Sequence, residues 1–121
     1  MKEISIVQGA GHPVARVKSE AILISGAQSA LDLIAQVWYA VHCDRMIVEK
    51  SAVSEALFDL RTGIAGEVLQ KFSNYRAKLA IIGDFSGYAS KSLAAFIFEC
   101  NRGGDILFLD DETEAVSRLG G

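Results

Sequence analysis

Residues that could bind an anion lie near the middle of the chain, where Asp59, Arg61 and Thr62 open a helical pattern. An arginine beside the exposed amide groups of a helix start can hold a carboxylate or a phosphate through paired hydrogen bonds. The same residues fit a structural role, in which Asp59 caps the helix and Arg61 is its ion-pair or inter-subunit partner. Structural ion pairs are the commoner cause of such arrangements, and both interpretations stay open at this point.

A second polar group lies between an apolar run and the next helical pattern. Its side chains could supply an acid, a nucleophile and a base. A serine with a nearby lysine and no histidine is a weak catalytic signal, and Asp84 and Ser86 also fit simple loop capping. We therefore predict binding residues and no catalytic residue. The candidate binding residues are Asp59, Arg61, Thr62, Asp84, Ser86, Tyr88 and Lys91.

The segments that position these residues alternate between strand and helix patterns. Apolar runs on both sides of the turn at residues 9–13 predict an N-terminal β-hairpin. Further apolar runs predict strands at 45–48, 78–82 and 106–109, with helical spacing between them. Strands joined through helices pair in parallel by right-handed crossovers. The prediction is an α/β fold in which residues 1–121 form one small domain with a mixed, mostly parallel sheet.

Local signals predict where the helices begin. Ser25 with Gln28 fits a capping box for the first helix, and Asp59 fits the cap of the second. Gly63 and Gly66 should each cost the second helix about 1 kcal/mol relative to alanine, so we expect close packing of a strand or a second helix there, with the approach of a bound ligand as the alternative. Further N-caps are predicted at Ser90 and Asp111.

Polar residues follow each predicted parallel strand. Ligands of open parallel sheets bind beyond the carboxyl ends of the strands, so these residues should gather at one pole of the domain. They lie at 49–51, 59–62, 84–86 and 110–111. The run Asn101–Gly104 precedes a strand instead, and we predict that it ends a helix at the opposite pole.

Composition and motifs exclude several classes of function. Half of the 121 residues are hydrophobic, which excludes a disordered chain, and a net charge of −3 without a basic stripe argues against a nucleic-acid partner. No apolar run approaches the ~20 residues of a membrane span, and the N-terminus lacks the apolar core of a signal peptide. The prediction is a cytoplasmic protein without membrane contact, cofactor or metal, in which Cys43 and Cys100 are free thiols.

Two resemblances follow from this order and these residues. The element order resembles the STAS domain, which is shared by sulfate transporters and anti-sigma-factor antagonists. More specifically, the sequence resembles a bacterial family catalogued as domain of unknown function 4180, which brings no assigned activity. The residues that carry this resemblance are 58–67, 71–75, 82–86, 90–93 and 101–103.

The STAS resemblance implies a phosphorylation site. Anti-sigma-factor antagonists carry a phosphorylated serine after the third strand, at the start of a helix, and Ser51 stands at the corresponding place. Lys50 and the helix start would help to stabilise the phosphate. The alternative is that Ser51 or Ser54 is an ordinary N-cap.

These features predict a non-enzymatic, regulatory or protein-interaction module that works through a protein partner or as a homodimer. The alternative is a protein that binds a small molecule or a small anion, or a minor enzyme, using the edge that carries Arg61 and Asp84. A flat, exposed apolar patch would favour the interaction module. A concave pocket with converging polar groups would favour the alternative.

Overall fold

The computed structural model describes residues 2–121, which form a five-stranded sheet with helices on both faces. The strands are β1 (Lys2–Gln8), β2 (Pro13–Ser19), β3 (Arg45–Glu49), β4 (Lys78–Ile82) and β5 (Ile106–Leu109). The helices are α1 (Ala27–Val41), α2 (Ile64–Asn74), α3 (Lys91–Gly103) and α4 (Glu112–Gly120). Three short 3₁₀ turns, Lys50–Ala52, Glu55–Phe58 and Leu60–Thr62, connect β3 to α2. The predicted α/β fold is confirmed.

The five strands lie in the sheet in the order in which they follow one another along the chain. β1 pairs with β2 antiparallel, as the predicted hairpin requires, and the other neighbours are parallel. Each parallel crossover steps in the same direction, so right-handed connections place α1, α2 and α3 on one face. α4 follows the last strand and packs against the opposite face.

Side chains of the central strands are buried on both faces of the sheet. In β3, Met46 and Val48 belong to the core beneath α1, α2 and α3, whereas Ile47 belongs to the smaller core beneath α4. β4 alternates in the same way, with Leu79 and Ile81 on one side and Ala80 on the other. Burial on both faces explains why these strands are continuous apolar runs in the sequence.

The turn of the N-terminal hairpin holds the end of α4. The backbone amides of Gly11 and His12 both donate to the carbonyl of Gly120, at 2.6 and 2.9 Å. The backbones also meet closely, because a Cβ placed on Gly9 would lie 2.5 Å from the Cα of Gly120. The first and last elements of the fold are therefore joined by contacts that only glycine permits.

The helix caps correct two of the predictions. The Ser25–Gln28 capping box is wrong, because α1 begins after Gly26 and the Ser29 hydroxyl accepts the amides of Gly26 and Ser25. Asp59 does not cap α2 but the 3₁₀ turn that precedes it. The other two N-caps, Ser90 and Asp111, are confirmed by their hydrogen bonds to Leu93 N and Thr113 N.

The expectation of close packing at Gly63 and Gly66 is also wrong. Gly63 lies at the N-cap of α2 with φ of 77°, a left-handed conformation that glycine adopts without steric cost. Gly66 lies inside α2 on the exposed side, where an added Cβ would meet no other atom within 4 Å. Conformation therefore explains the first glycine, and nothing in the structure explains the second.

Candidate functional site

The register of the sheet brings the carboxyl ends of three strands to one edge. Glu49 at the end of β3 pairs with Ile82 at the end of β4, and Ile82 pairs with Leu109 at the end of β5. The polar segments that follow these strands therefore start side by side, as the sequence predicted.

Asp59 and Arg61 bind each other in this structure. The carboxylate of Asp59 accepts from Nε and Nη2 of Arg61, both at 3.0 Å, and from the Arg61 backbone amide at 3.2 Å. These hydrogen bonds hold the pKa of Asp59 below its ordinary value. Thr62 also bonds internally, since its hydroxyl donates to the Asp59 carbonyl and accepts from Ile64 N. Of the two interpretations, these contacts correspond to the structural one.

Asp84 and Ser86 form a capped loop after β4. Oδ1 of Asp84 accepts from the Ser86 amide at 2.9 Å and from the Ser86 hydroxyl at 2.6 Å. Hydrogen bonding from Ser86, and the nearby charge of Lys50 to a smaller extent, lowers the pKa of Asp84. The carboxylate is therefore ionised at neutral pH, and its Oδ2 makes no hydrogen bond within the described chain.

Tyr88 contacts Glu55 and Lys50, which the sequence pattern did not predict to lie beside it. Its hydroxyl donates to Oε2 of Glu55 at 2.9 Å, and Glu55 Oε1 lies 3.3 Å from Nζ of Lys50. The same Nζ lies 4.9 Å from the centre of the Tyr88 ring, and contact with Tyr88 and Glu55 raises the pKa of Lys50. Lys91 stands apart, since it is exposed and makes no ion pair or side-chain hydrogen bond among residues 2–121.

An aromatic cluster lies beneath these polar groups. Phe58 stacks on Tyr88 with ring centres 5.2 Å apart, and Phe85 meets Phe108 edge to face at 5.4 Å. Beside Phe85 and Phe108 is a cleft of about 710 Å³ whose polar lining includes Asp84, Ser86 and Asp110. Asp110 was predictable at this pole because it directly follows a predicted strand. No signal was available for Phe108, which reads as an ordinary core residue.

Ser51 is exposed and lies in a 3₁₀ turn of three residues directly after β3. No α-helix begins beside Ser51, because α2 starts only at Ile64. Ser54, the alternative capping residue, does cap the next 3₁₀ turn by accepting from Ala56 N at 3.3 Å. Phosphorylation of Ser51 stays a prediction, without the helix start that was expected to favour it.

A different surface exposes large aromatic side chains. Trp38 and Tyr39 on α1 are 53% and 88% exposed, and Tyr75 at the end of α2 is 58% exposed. A groove of about 380 Å³ runs between α1 and the segment after α2, with Trp38 and Tyr75 among its walls. Asp32 is the only charged residue among the fifteen of α1. Such a helix differs from an ordinary surface helix, whose outer side carries charges.

Residues 2–121 offer neither a metal-binding cluster nor a membrane-spanning helix. No group of three His, Cys, Asp or Glu side chains there could hold a metal ion. No helix there has both the length and the hydropathy that a bilayer span needs. Cys43 and Cys100 are buried and are not joined by a disulfide.

Comparison with known proteins identifies a family for this chain. The family described as Domain of unknown function (DUF4180) matches residues 9–119. No curated protein matches the chain, and no solved structure does. The likeness to STAS domains therefore stays a prediction that depends on the order of elements. The family match covers nearly the whole length, and the chain belongs to the DUF4180 family.

Proposed function

We propose that this chain is a non-enzymatic protein-interaction module of the cytoplasm that acts as a homodimer through α1. The proposed contact surface is named the α1 face. It comprises the outer side of α1 and the far wall of the neighbouring groove, with the residues Leu31, Ile34, Ala35, Trp38, Tyr39 and Tyr75.

The exposed aromatic area of the α1 face carries the proposal. Large aromatic side chains offer roughly 150–250 Å² each, so the exposed fractions of Trp38, Tyr39 and Tyr75 amount to about 400 Å². Contiguous apolar patches of this size mark interaction sites on soluble proteins. Tyrosine and tryptophan are also the residues that most often dominate binding energy at protein interfaces.

The charges around the α1 face favour a second copy as the occupant. Asp44 lines the groove after the end of α1 and has only a long contact of 3.8 Å with Arg45. Asp32 is exposed on α1, and Arg76 follows Tyr75 on the other side of the groove. A two-fold axis brings each side of one copy against the opposite side of the other, which sets arginine against carboxylate. The rings alone supply about half of the roughly 800 Å² per partner that a standard interface buries.

The polar edge at the strand ends offers less support for an anion site or an enzyme. Two of its cations already have carboxylate partners, since Arg61 is bound by Asp59 and Lys50 by Glu55. Lys91 is the cation at this edge that has no such partner within residues 2–121. An incoming anion would have to compete with an existing carboxylate at either of the paired positions.

Analytical ultracentrifugation of the purified protein tests the proposal. We expect the wild type to sediment at twice the mass of the 13.0 kDa chain at about 100 μM, which corresponds to a micromolar dissociation constant. Tyr39→Glu should give a monomer with an unchanged circular dichroism spectrum, because this side chain is almost wholly exposed. Trp38→Glu should act in the same way.

Phe98→Glu is the matched control, since Phe98 is 62% exposed but lies on α3. This variant should remain dimeric. A monomeric wild type at about 100 μM would overturn the homodimer, given that stable dimers of this interface class bind more tightly. Equal dissociation of the Phe98 and Tyr39 variants would show that general surface charge, and not the α1 face, governs assembly.

A further inference from the structure

The cleft at the carboxyl ends of β4 and β5 has the size and lining of a small-molecule site. Its volume of about 710 Å³ lies within the range of roughly 300–1,000 Å³ that is usual for ligand pockets. Phe85 and Ile97 are its part-exposed apolar lining residues, and Phe108 and Leu109 lie more deeply buried beneath them. The position also agrees with the rule that ligands of parallel α/β sheets bind beyond the strand ends.

The polar groups of this cleft are acidic. Asp84 and Asp110 both line it, and they follow neighbouring strands. Oδ1 of Asp84 is occupied by Ser86, but Oδ2 is free within the described chain, and Asp110 is exposed without a side-chain partner there. Two carboxylates at one opening produce a negative potential, which low-dielectric walls concentrate.

The positive charge nearest to this opening does not cancel that potential. Lys50 contributes to the electrostatics of Asp84, but its Nζ is paired with Glu55 and lies over the Tyr88 ring. Its stem is also held, because it packs against Gly83 so closely that a Cβ there would lie 2.6 Å from Lys50 Cβ. The lysine is therefore held outside the cleft lining, where Glu55 is its ion-pair partner.

The aromatic lining of the cleft, like its carboxylates, favours a positively charged ligand. Phe85 is part-exposed and packs edge to face, at an interplanar angle of 87°, on Phe108, which is buried beneath it. The face of an aromatic ring carries negative charge density and attracts ammonium and guanidinium groups. An apolar ligand body would bury against Phe85 and Ile97, while its charged group would reach the carboxylates at the opening.

We propose that this cleft binds a small organic cation, an ammonium or guanidinium group carried on an apolar body, with Asp84 and Asp110 as its counter-ions. This reverses the sign of the ligand that the sequence suggested for the same edge. The proposal is independent of the α1 face, because the two surfaces share no residue.

A nuclear magnetic resonance titration of the full chain with three matched probes tests it. Benzylammonium combines a ring with a cation, benzyl alcohol is its neutral counterpart, and benzoate carries the opposite charge. We expect benzylammonium to shift the amide signals of residues 83–86 and 108–110 and to saturate with a dissociation constant of about 1 mM. Benzyl alcohol should bind at least about tenfold more weakly, because it lacks the charge-assisted contact.

Two variants locate the binding energy. Asp110→Asn should weaken benzylammonium about tenfold without disturbing the fold, since this carboxylate makes no contact that stabilises a loop. Glu67→Gln is the matched control, because it removes one exposed carboxylate from α2 and should leave the affinity unchanged.

Three outcomes would overturn the proposal. One is benzoate binding at the same residues as tightly as benzylammonium, and another is an affinity within about twofold of the wild type in Asp110→Asn. The third is the absence of signal shifts in the cleft at about 20 mM benzylammonium, well above the expected dissociation constant.

Discussion

The side chain of Asn101 closes the outer edge of the sheet, and its removal should destabilise the fold. Asn101 lies in α3 and reaches the backbone of Phe108 in β5, the edge strand. Its Nδ2 donates to the Phe108 carbonyl at 3.1 Å, and its Oδ1 accepts from the Phe108 amide at 2.7 Å. One amide side chain thus replaces the hydrogen bonds of a missing neighbouring strand.

The magnitude follows from these two bonds. Each contributes a net ~1 kcal/mol, and unpaired groups in a buried place raise the cost, so Asn101→Ala should lose about 2–4 kcal/mol. Phe108 is only 5% exposed, which leaves little access for water as a substitute partner. Alanine recovers a few tenths of a kcal/mol as the better helix former. The net loss of about 1.5–3.5 kcal/mol is a large part of a typical stability of 5–15 kcal/mol.

Asn74→Ala is the matched control for this experiment. Asn74 is also an asparagine near the end of a helix, but it is exposed and its amide makes no hydrogen bond within residues 2–121. It should therefore show the helix-propensity gain alone. Urea unfolding followed by circular dichroism should place the midpoint of Asn101→Ala lower by about 1–2 M, with Asn74→Ala at or slightly above the wild type.

Hydrogen exchange supplies a second readout that a general loss of stability does not mimic. In the wild type the Phe108 amide should be protected at a level close to that of the inner strands, and in Asn101→Ala it should exchange much faster than its β4 neighbours. The reasoning is refuted if the two alanine variants differ by less than about 0.5 kcal/mol, or if the Phe108 amide remains protected.

Backbone packing, burial and ion pairing lead to three more expected outcomes. Gly9→Ala should lower the free energy of unfolding by at least about 2 kcal/mol, because its Cβ would lie 2.5 Å from the backbone of the last residue of α4, whereas Gly66→Ala should raise it by about 0.5–1 kcal/mol, because its Cβ meets open space. Urea unfolding measures both changes, and a Gly9→Ala variant as stable as the wild type would contradict the close contact. Burial raises the pKa of Cys100 to about 11, so its alkylation near pH 8 should be roughly a hundredfold slower in the folded than in the unfolded chain. Mass spectrometry of labelled peptides measures this rate, and rapid labelling of the folded protein would disprove the burial. Arg61 lowers the pKa of Asp59, so the pair stabilises the fold above the unfolded pKa of about 3.9 and loses this effect as the pH falls through the lower folded pKa. The pKa of Asp59, followed by its carboxyl resonance, should rise in Arg61→Ala, and an unchanged pKa would exclude this ion pair in solution.

The three strands after the hairpin were predictable to within one residue. The predicted runs 78–82 and 106–109 coincide with β4 and β5, and 45–48 falls one residue short of β3. Continuous apolar runs of this length, separated by helical spacing, have few other stable arrangements. The N-caps Ser90 and Asp111 were equally predictable, since a cap depends on residues within one turn of itself.

Contacts between distant segments were not predictable. Glu55 and Tyr88 are 33 residues apart and meet only because the 3₁₀ turns after β3 lie beside the loop after β4. Those turns carry no apolar period, so no pattern shows where their side chains point. Asn101 was predicted only as part of a helix stop, because its partner depends on how α3 crosses β5.

By itself the sequence determined the α/β class, the hairpin, the strand positions and the family, because each depends on local pattern or on residue identity. It did not determine the order of strands in the sheet or the face that each helix covers. Those follow from the tertiary structure, where chain-order pairing and right-handed crossovers place three helices on one face and leave the other to α4. The same packing decides that Trp38 remains exposed while Phe108 is buried, although both are aromatic residues within apolar patterns.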